Sequence, residues 1–324
     1  MLATYAVRRV LVSIPVVIGV TTVTFLVMKV TAGTYVPGLD LDPNLRPEDV
    51  VRIRHQLGVD QPLYVQYWQW VTGIAHGDFG RSMLDGTPVF AHIWSRLPAT
   101  LELTLTAILL GVVISIPLGV AGARQWGSRL DHMLTGISVA GFAVPQFWLG
   151  LMLILLFSVS LKRWGLPWLP SGGQESTIGG GDPLDLLAHL VMPATVLSFF
   201  YLSVWSRFVR SSTLEVLSQD YVRTARAKGM PERRVLYVHA LRNSIVPLVT
   251  LIGLELPGLV AGALVVEVVF GWPGLGLMAY ERAKAYDFTM VMGTTTFVAL
   301  LVILGNLVAD LLYAVLDPRI RYSS

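Results

Sequence analysis

Four carboxylates, Glu102, Glu255, Glu267 and Asp310, lie in or beside long apolar stretches of this chain. An ionisable group in such a setting is costly and must face a bundle interior, an interface or water. Two roles fit. Glu255 and Asp310 could relay protons or ions, or they could bond helix to helix while Glu102 and Glu267 sit near an outer surface. The histidines at 55, 76, 92, 132, 189 and 239 show no metal-ligand spacing, and cysteine is absent. Thiolate zinc sites, disulfides and cysteine nucleophiles are thereby excluded. His189, the histidine close to an apolar run, reads as a packed or interfacial residue. The phosphate loop G-x-x-x-x-G-K-[ST], H-E-x-x-H and G-x-S-x-G are all missing. Residues Gly274 to Ala279 do match G-x-G-x-x-A. Such a match binds a dinucleotide only inside a βαβ unit, which is not expected here. The glycine-rich stretch 172–181 lacks a lysine and reads as a flexible loop.

The elements around these residues are set by hydropathy. Of 324 residues, 54% are hydrophobic and only 14% charged, against about 25% charged in soluble domains. Mean hydropathy is +0.63. Six apolar segments stand out, with approximate limits Val10–Val30, Ala99–Ala121, Met133–Ser160, Leu186–Trp205, Ile245–Phe270 and Val291–Leu316. Each has the roughly 20 residues that a helix needs to cross a hydrocarbon core. Helices are required because each span must satisfy its own amides away from water. Arg8 and Arg9 precede the first run, as in a signal peptide. That run is too long for one and no A-x-A-like site follows, so it reads as a retained first helix.

Basic residues orient the spans. With the N-terminus inside, residues 1–9, 122–132, 206–244 and 317–324 are cytoplasmic and hold 14 of the 24 Lys and Arg residues. The outer segments are longer in total yet hold fewer, so both termini are expected in the cytoplasm. Small residues at four-residue spacing mark two packing faces: Gly111, Ser115 and Gly119 in the second span, Gly258 and Gly262 in the fifth. They suit contact within one chain or against a second, similar subunit. Pro117, Pro145, Pro193, Pro247 and Pro257 would interrupt helices, which membrane spans tolerate.

The loop between spans four and five has the most to say. From Arg207 to Arg242 it carries eight basic residues against Glu215, Asp220 and Glu232. Leu214, Leu217, Tyr221 and Ala225 recur at helical spacing and predict a short amphipathic helix. Gly229 offers a helix end and Pro231 a first position for another helix. Two short helices joined by a turn are expected, lying on a membrane surface or docked in a partner's groove.

The run from Asp220 to Gly229, followed by His239-Ala240-Leu241-Arg242-Asn243 and Pro247, closely resembles the EAA loop of bacterial ABC importer permeases. Arg223, Thr224 and Ala225 fall on the E-A-A positions and Gly229 on the glycine. Arg223 replaces the usual glutamate and Pro247 comes five residues late, both features of the peptide/nickel branch. Leu57 to Leu63, Gly77-Asp78-Phe79-Gly80, Arg96 to Leu103, Leu254 to Gly258 and Phe270 to Gly276 also look like that branch. The nearest fit is the first of two permeases in dipeptide and oligopeptide importers.

The resemblance implies an all-α membrane protein of six transmembrane helices with the type I ABC importer fold. Residues 1–96 would form the first helix and an extracytoplasmic cap, 97–316 the transmembrane core with its coupling loop at 213–242, and 317–324 a cytoplasmic tail. Coupling to the ATPase would fall to Tyr221, Arg223, Thr224, Ala225, Lys228, Gly229 and Met230. Implied partners are a second homologous permease, two ATP-binding-cassette subunits that use ATP and Mg, an extracytoplasmic binding protein and the lipid bilayer; no cofactor or nucleic acid is expected on this chain. The cargo would be short peptides, with nickel chelates or glutathione in sister systems, and an ion-coupled secondary transporter is the rival class. The outer loop 31–98, with Tyr64, Tyr67, Trp68 and Trp70, would dock the binding protein or simply cap the helix ends.

Overall fold

In the computed structural model the described residues are 2–32, 46–56, 60–176, 179–255, 258 and 263–316. They form helices α1 (Leu2–Ala32), α2 (Pro47–Gln56), α3 (Leu63–Ala75), α4 (Val89–Arg124), α5 (Arg129–Ala143), α6 (Gln146–Arg163), α7 (Pro183–Leu217), α8 (Asp220–Ala227), α9 (Glu232–Leu254), α10 (Leu264–Phe270), α11 (Leu275–Lys284) and α12 (Phe288–Leu316). Among the described residues extended pairing is limited to an isolated bridge between Arg81 and Pro88. Among the described residues six helices are long and apolar enough to cross a membrane: α1, α4, α6, α7, α9 and α12.

Several helix limits differ from the apolar limits. The third apolar segment is two helices, α5 and α6, broken at Val144–Pro145. Proline disfavours a helical conformation in the residue before it, and Val144 is extended. The fifth span begins at Glu232 rather than Ile245, so the expected second short helix of the loop is the first part of α9. The Leu217–Tyr221 stripe is likewise interrupted. α7 runs on to Leu217, a turn at Ser218–Gln219 follows, and α8 starts afresh. Gly262 and Pro257 fall outside the described residues, as do Leu57, Gly58 and Val59.

The chain divides into two compact units, one of Met1–Thr100 with Pro273–Ser324, the other of Leu101–Trp272. In the first, α1 packs along α12. Tyr67 accepts a hydrogen bond from Thr22 at 3.0 Å and rests with Trp70 against Phe25. Tyr64 and Trp68 point out, 75% and 67% exposed, so only half of the expected aromatic cap is packed. Helical spacing explains the split, since positions 67 and 70 share a face. Asp287 is buried and accepts bonds from Ser82 Oγ (2.5 Å) and Met83 N–H (3.0 Å), while Arg282 reaches Asp85 at 3.1 Å. These bonds tie the 78–88 turn to the α11–α12 junction.

In the second unit α7 is the central element. Gly111 of α4 lies against Tyr201 and Trp205, Ser115 is fully buried, and Gly119 meets Ser206 and Val209. The small-residue face of the second span is therefore spent on packing within the chain. Gly172 of the glycine-rich stretch also packs, against the Phe270 carbonyl, and Gly173 N–H donates to that oxygen at 2.8 Å. The stretch is thus anchored up to Ser176 rather than being a loose loop. Glu267 is wholly buried within the protein, and Glu102 accepts a 2.7 Å bond from Gln174.

A methyl group on Gly119 would sit 2.7 Å from both the Ser206 carbonyl oxygen and Val209 Cβ. Gly119→Val should therefore destabilise the protein by about 1–3 kcal/mol, the usual cost of overpacking. Gly136→Ala, at a position open to space, should leave the thermal unfolding midpoint in detergent unchanged or slightly raised. Equal midpoints for Gly119→Val and the parent would refute the packing argument.

Candidate functional site

α8 is short, strongly amphipathic and held by a small apolar plug. Val222 and Ala225 are buried (0% and 5% exposed) against Val235 at the start of α9, with Val216, Leu217 and Met230 around them. The opposite face presents Arg223, Thr224 and Lys228 to solvent. Its C-terminus closes with two backbone bonds, Met230 N–H to Ala225 O (3.3 Å) and Gly229 N–H to Arg226 O (2.9 Å). That pair is a Schellman motif, which needs a left-handed residue at its penultimate position. Gly229 fills it with φ +74°, and open space surrounds the place of its missing side chain. Met230 then turns back onto the plug, supplying the motif's hydrophobic contact.

Two polar contacts close the hairpin. Arg226 makes a forked ion pair with Glu232, Nη2 to Oε1 at 2.7 Å and Nε to Oε2 at 3.2 Å. Tyr221 accepts a bond from Asn243 Nδ2 at 2.8 Å, joining α8 to the middle of α9. Between these contacts α9 winds more loosely, with π-helical turns over Val235–Ala240, and it bends at Ile245 just before Pro247. π-turns arise where one extra residue is accommodated in a helix, often at functional sites.

The base beneath this hairpin is braced. Arg210 of α7 grips Asp131 of α5 with two bonds, 2.5 Å from Nε and 2.7 Å from Nη2, and Gly127 N–H adds a third at 3.0 Å. The buried Asp131 carboxyl is drawn down to about 2, chiefly by its bond to the Arg210 guanidinium. Thr213 of α7 donates to Ser244 of α9 at 3.2 Å, both wholly buried.

Seven loop residues were expected to act together. Five of them, Tyr221, Arg223, Thr224, Lys228 and Gly229, are exposed along α8 and its end, whereas Ala225 is buried and Met230 half-buried. The last two therefore hold the helix rather than face outward. Val222, Asn243 and Glu232 belong to the same constellation but carry no local signal, because their partners lie 13, 22 and 6 residues away. Of the two intramembrane carboxylates, Glu255 caps the end of α9 and is half-buried, and Asp310 lies in α12. The G-x-G-x-x-A run opens α11 after a short helix, not after a strand. Among the described residues no group of three His, Asp or Glu side chains could hold a metal.

A family model described as "Binding-protein-dependent transport system inner membrane component" matches residues 91–322. The companion N-terminal model matches residues 1–104. The chain belongs to this family. The permease is thus a multi-pass inner-membrane component of a transport system. Among its relatives is the oligopeptide transport system permease protein AppB of Bacillus subtilis, 42% identical over 322 residues that cover 99% of this chain and 100% of that one. The dipeptide transport system permease protein DppB of Escherichia coli K12 is 39% identical over 98% of each chain. The di/tripeptide transport system permease protein DppB of Pseudomonas aeruginosa is 39% identical over 97% of this chain and 98% of its own.

The brace under the hairpin can be tested by pH. A carboxyl at about 2 when folded and near 4 when unfolded adds stability that is complete above pH 4 and lost as pH falls through 2. Asp131→Asn should therefore cost the permease about 2 kcal/mol at neutral pH, and the gap to the parent should close on acid titration between about pH 4 and 2. A gap independent of pH would assign the loss to packing instead.

Proposed function

We propose that this chain is one of two permeases in an ATP-binding-cassette importer that takes short peptides into the cytoplasm. The observation that carries the reading is the α8 hairpin: an exposed basic row, Arg223, Thr224 and Lys228, on a helix fastened from behind by Val222, Ala225 and Val235. A helix that merely lay on a membrane would turn its apolar face to lipid. Here that face is consumed by the protein's own plug, leaving the polar face for a protein groove. Relatives that serve oligopeptide, dipeptide and di/tripeptide transport systems support peptides as cargo, and nickel chelates or glutathione would use the same architecture.

In this reading both termini and the hairpin face the cytoplasm, and residues 97–316 form the transmembrane core. Two ATPase subunits grip the hairpins of this chain and its sister permease, and ATP and Mg act there. An extracytoplasmic binding protein delivers the peptide, docking against the 31–98 region. This chain catalyses nothing. It receives the motion of the closing ATPases on α8 and transmits it through the plug to α7 and α9, so the path rocks between outward-open and inward-open states. Glu255 and Asp310 act as helix-bonding groups, and uptake needs no ion gradient.

Gly229→Asp and Arg223→Glu separate coupling from folding. Both positions are exposed, and the strained left-handed conformation at Gly229 costs a side chain about 1–2 kcal/mol, too little to prevent insertion. Expected results are normal membrane insertion, loss of at least nine-tenths of peptide uptake, and weakened retention of the ATPases on copurification. Wild-type uptake by both variants, or ion-driven uptake by the chain without ATPases, would sink the assignment.

A further inference from the structure

Helix α3 lies outside the six spans, yet residues 61–75 hold no charged side chain. Helix α2, just before it in sequence, is the opposite, with Glu48, Asp49, Arg52 and Arg54 in ten residues. A helix that meets water needs such polar residues on its open side. One face of α3 is spent on α1, where Tyr67 and Trp70 rest against Phe25. The other is open: Leu63, Tyr64 and Trp68 are 54%, 75% and 67% exposed. Tyr64 and Trp68, four residues apart, stand side by side on it.

The depth at which α3 meets α1 says what covers that face. The Lys29 ammonium stands 5.7 Å over the Phe25 ring, and a lysine near the end of a span reaches for the headgroups. The Tyr67 hydroxyl bonds Thr21 and Thr22, each at 3.0 Å. Those threonines lie inside the apolar stretch Val7–Thr31, about one helical turn, or roughly 5 Å, before Phe25. Thr31 is about 13 Å of helix rise beyond Thr22. Helix α3 is thus pinned below the end of the span and not above it. Val23, Leu26 and Val27 of α1, beside these contacts, are exposed and apolar, so the lipid-facing side of the span runs up to α3.

Interfacial helices bury an apolar face about 5–10 Å into the boundary between headgroups and acyl chains. Trp and Tyr are enriched at that level because an apolar ring body and a polar tip suit it. A soluble protein docking on Tyr64 and Trp68 would have to reach below the end of the span. We propose that α3 is an interfacial helix, its Leu63, Tyr64 and Trp68 face seated in the lipid of the leaflet at the Lys29 end of α1. The proposal rests on the inner-membrane placement of the family and not on the cargo. It leaves the docking of a soluble partner to charged parts of 31–98 such as α2.

The chain has no cysteine of its own, so Tyr64→Cys and Trp68→Cys each create a unique place for a nitroxide label. Both side chains point outward, and the replacements leave the Tyr67 and Trp70 contacts in place. The complete transporter, with any partner cysteines replaced, is reconstituted in vesicles of phosphatidylethanolamine and phosphatidylglycerol. Power-saturation EPR compares collisions of the label with oxygen, which concentrates in lipid, and with a nickel chelate, which stays in water. Arg52→Cys on charged α2 is the water reference, and Val23→Cys on α1, 61% exposed, is the lipid reference. At both α3 positions the ratio of oxygen to nickel collisions should exceed that at Arg52→Cys at least fivefold and approach that at Val23→Cys. A smaller ratio at either position puts the face in water, and shielding from both reagents puts it under a protein partner; each result overturns the proposal. Peptide uptake by the same variants tests the importer reading separately, since that reading stands or falls whatever the label reports.

Discussion

The close approach of α4 to α7 is the constraint on which the second unit depends. Gly111, Ser115 and Gly119 present no bulk, so Tyr201, Trp205 and Val209 settle directly onto the α4 backbone. Hydrocarbon tails are as apolar as leucine, so helices in a bilayer gain little from hiding apolar surface against one another; contact area and interhelical bonds must supply the association. The polar residues of α7 follow from this. Ser206 bonds Ser138 at 3.0 Å, Thr213 bonds Ser244, and Arg210 bonds Asp131. Two of these bonds tie α7 to α5 and one ties it to α9, and with the glycine contacts of α4 they make α7 the axis on which α4, α5 and α9 are hung.

Because α7 is one unbroken helix of 35 residues, it spans about 50 Å, more than a hydrocarbon core requires. The surplus has a use. Its last turn carries Val216 and Leu217 into the plug beneath α8. Pro193 lies inside the helix, where the missing N–H is tolerated among packed neighbours. One continuous helix therefore runs from the packed core of the second unit to the hairpin.

Apolarity in the sequence reports the solvent around a segment, not the ends of its helix. The six runs located the spans, but α4 begins ten residues before Ala99, with Val89 and Ile93 wholly buried in protein. α7 outlasts Trp205 because Val209 and Thr213 are buried by neighbouring helices rather than by lipid. The break at Pro145 was written in a residue type, yet the run of apolar residues across it hid the division into α5 and α6. At the hairpin, Gly229 and the exposed row could be read because local motifs encode them. Val222 could not, since its burial is decided by Val235 across the turn, and nothing near Asn243 announces that it reaches Tyr221.

How force would cross the hairpin follows from the relative strengths of its contacts. The Arg226–Glu232 pair is exposed on both sides, and such pairs contribute about 0–1 kcal/mol. The Tyr221–Asn243 bond is also exposed and is of similar size. Burial of Val222 and Val235 contributes more, about 1.5–3 kcal/mol for each fully buried side chain, and close-packed interiors transmit strain. A push on α8 is therefore carried mainly by the plug, onto the end of α7 and the start of α9. Beyond Val235 the looser π-turns and the bend at Ile245 interrupt the regular ladder of α9, while α7 continues without such a break. The stiff route through the second unit is α7. A lever acting there would move α4 and α5 with it, since the glycine contacts and the Asp131–Arg210 clamp leave those helices little freedom to lag behind.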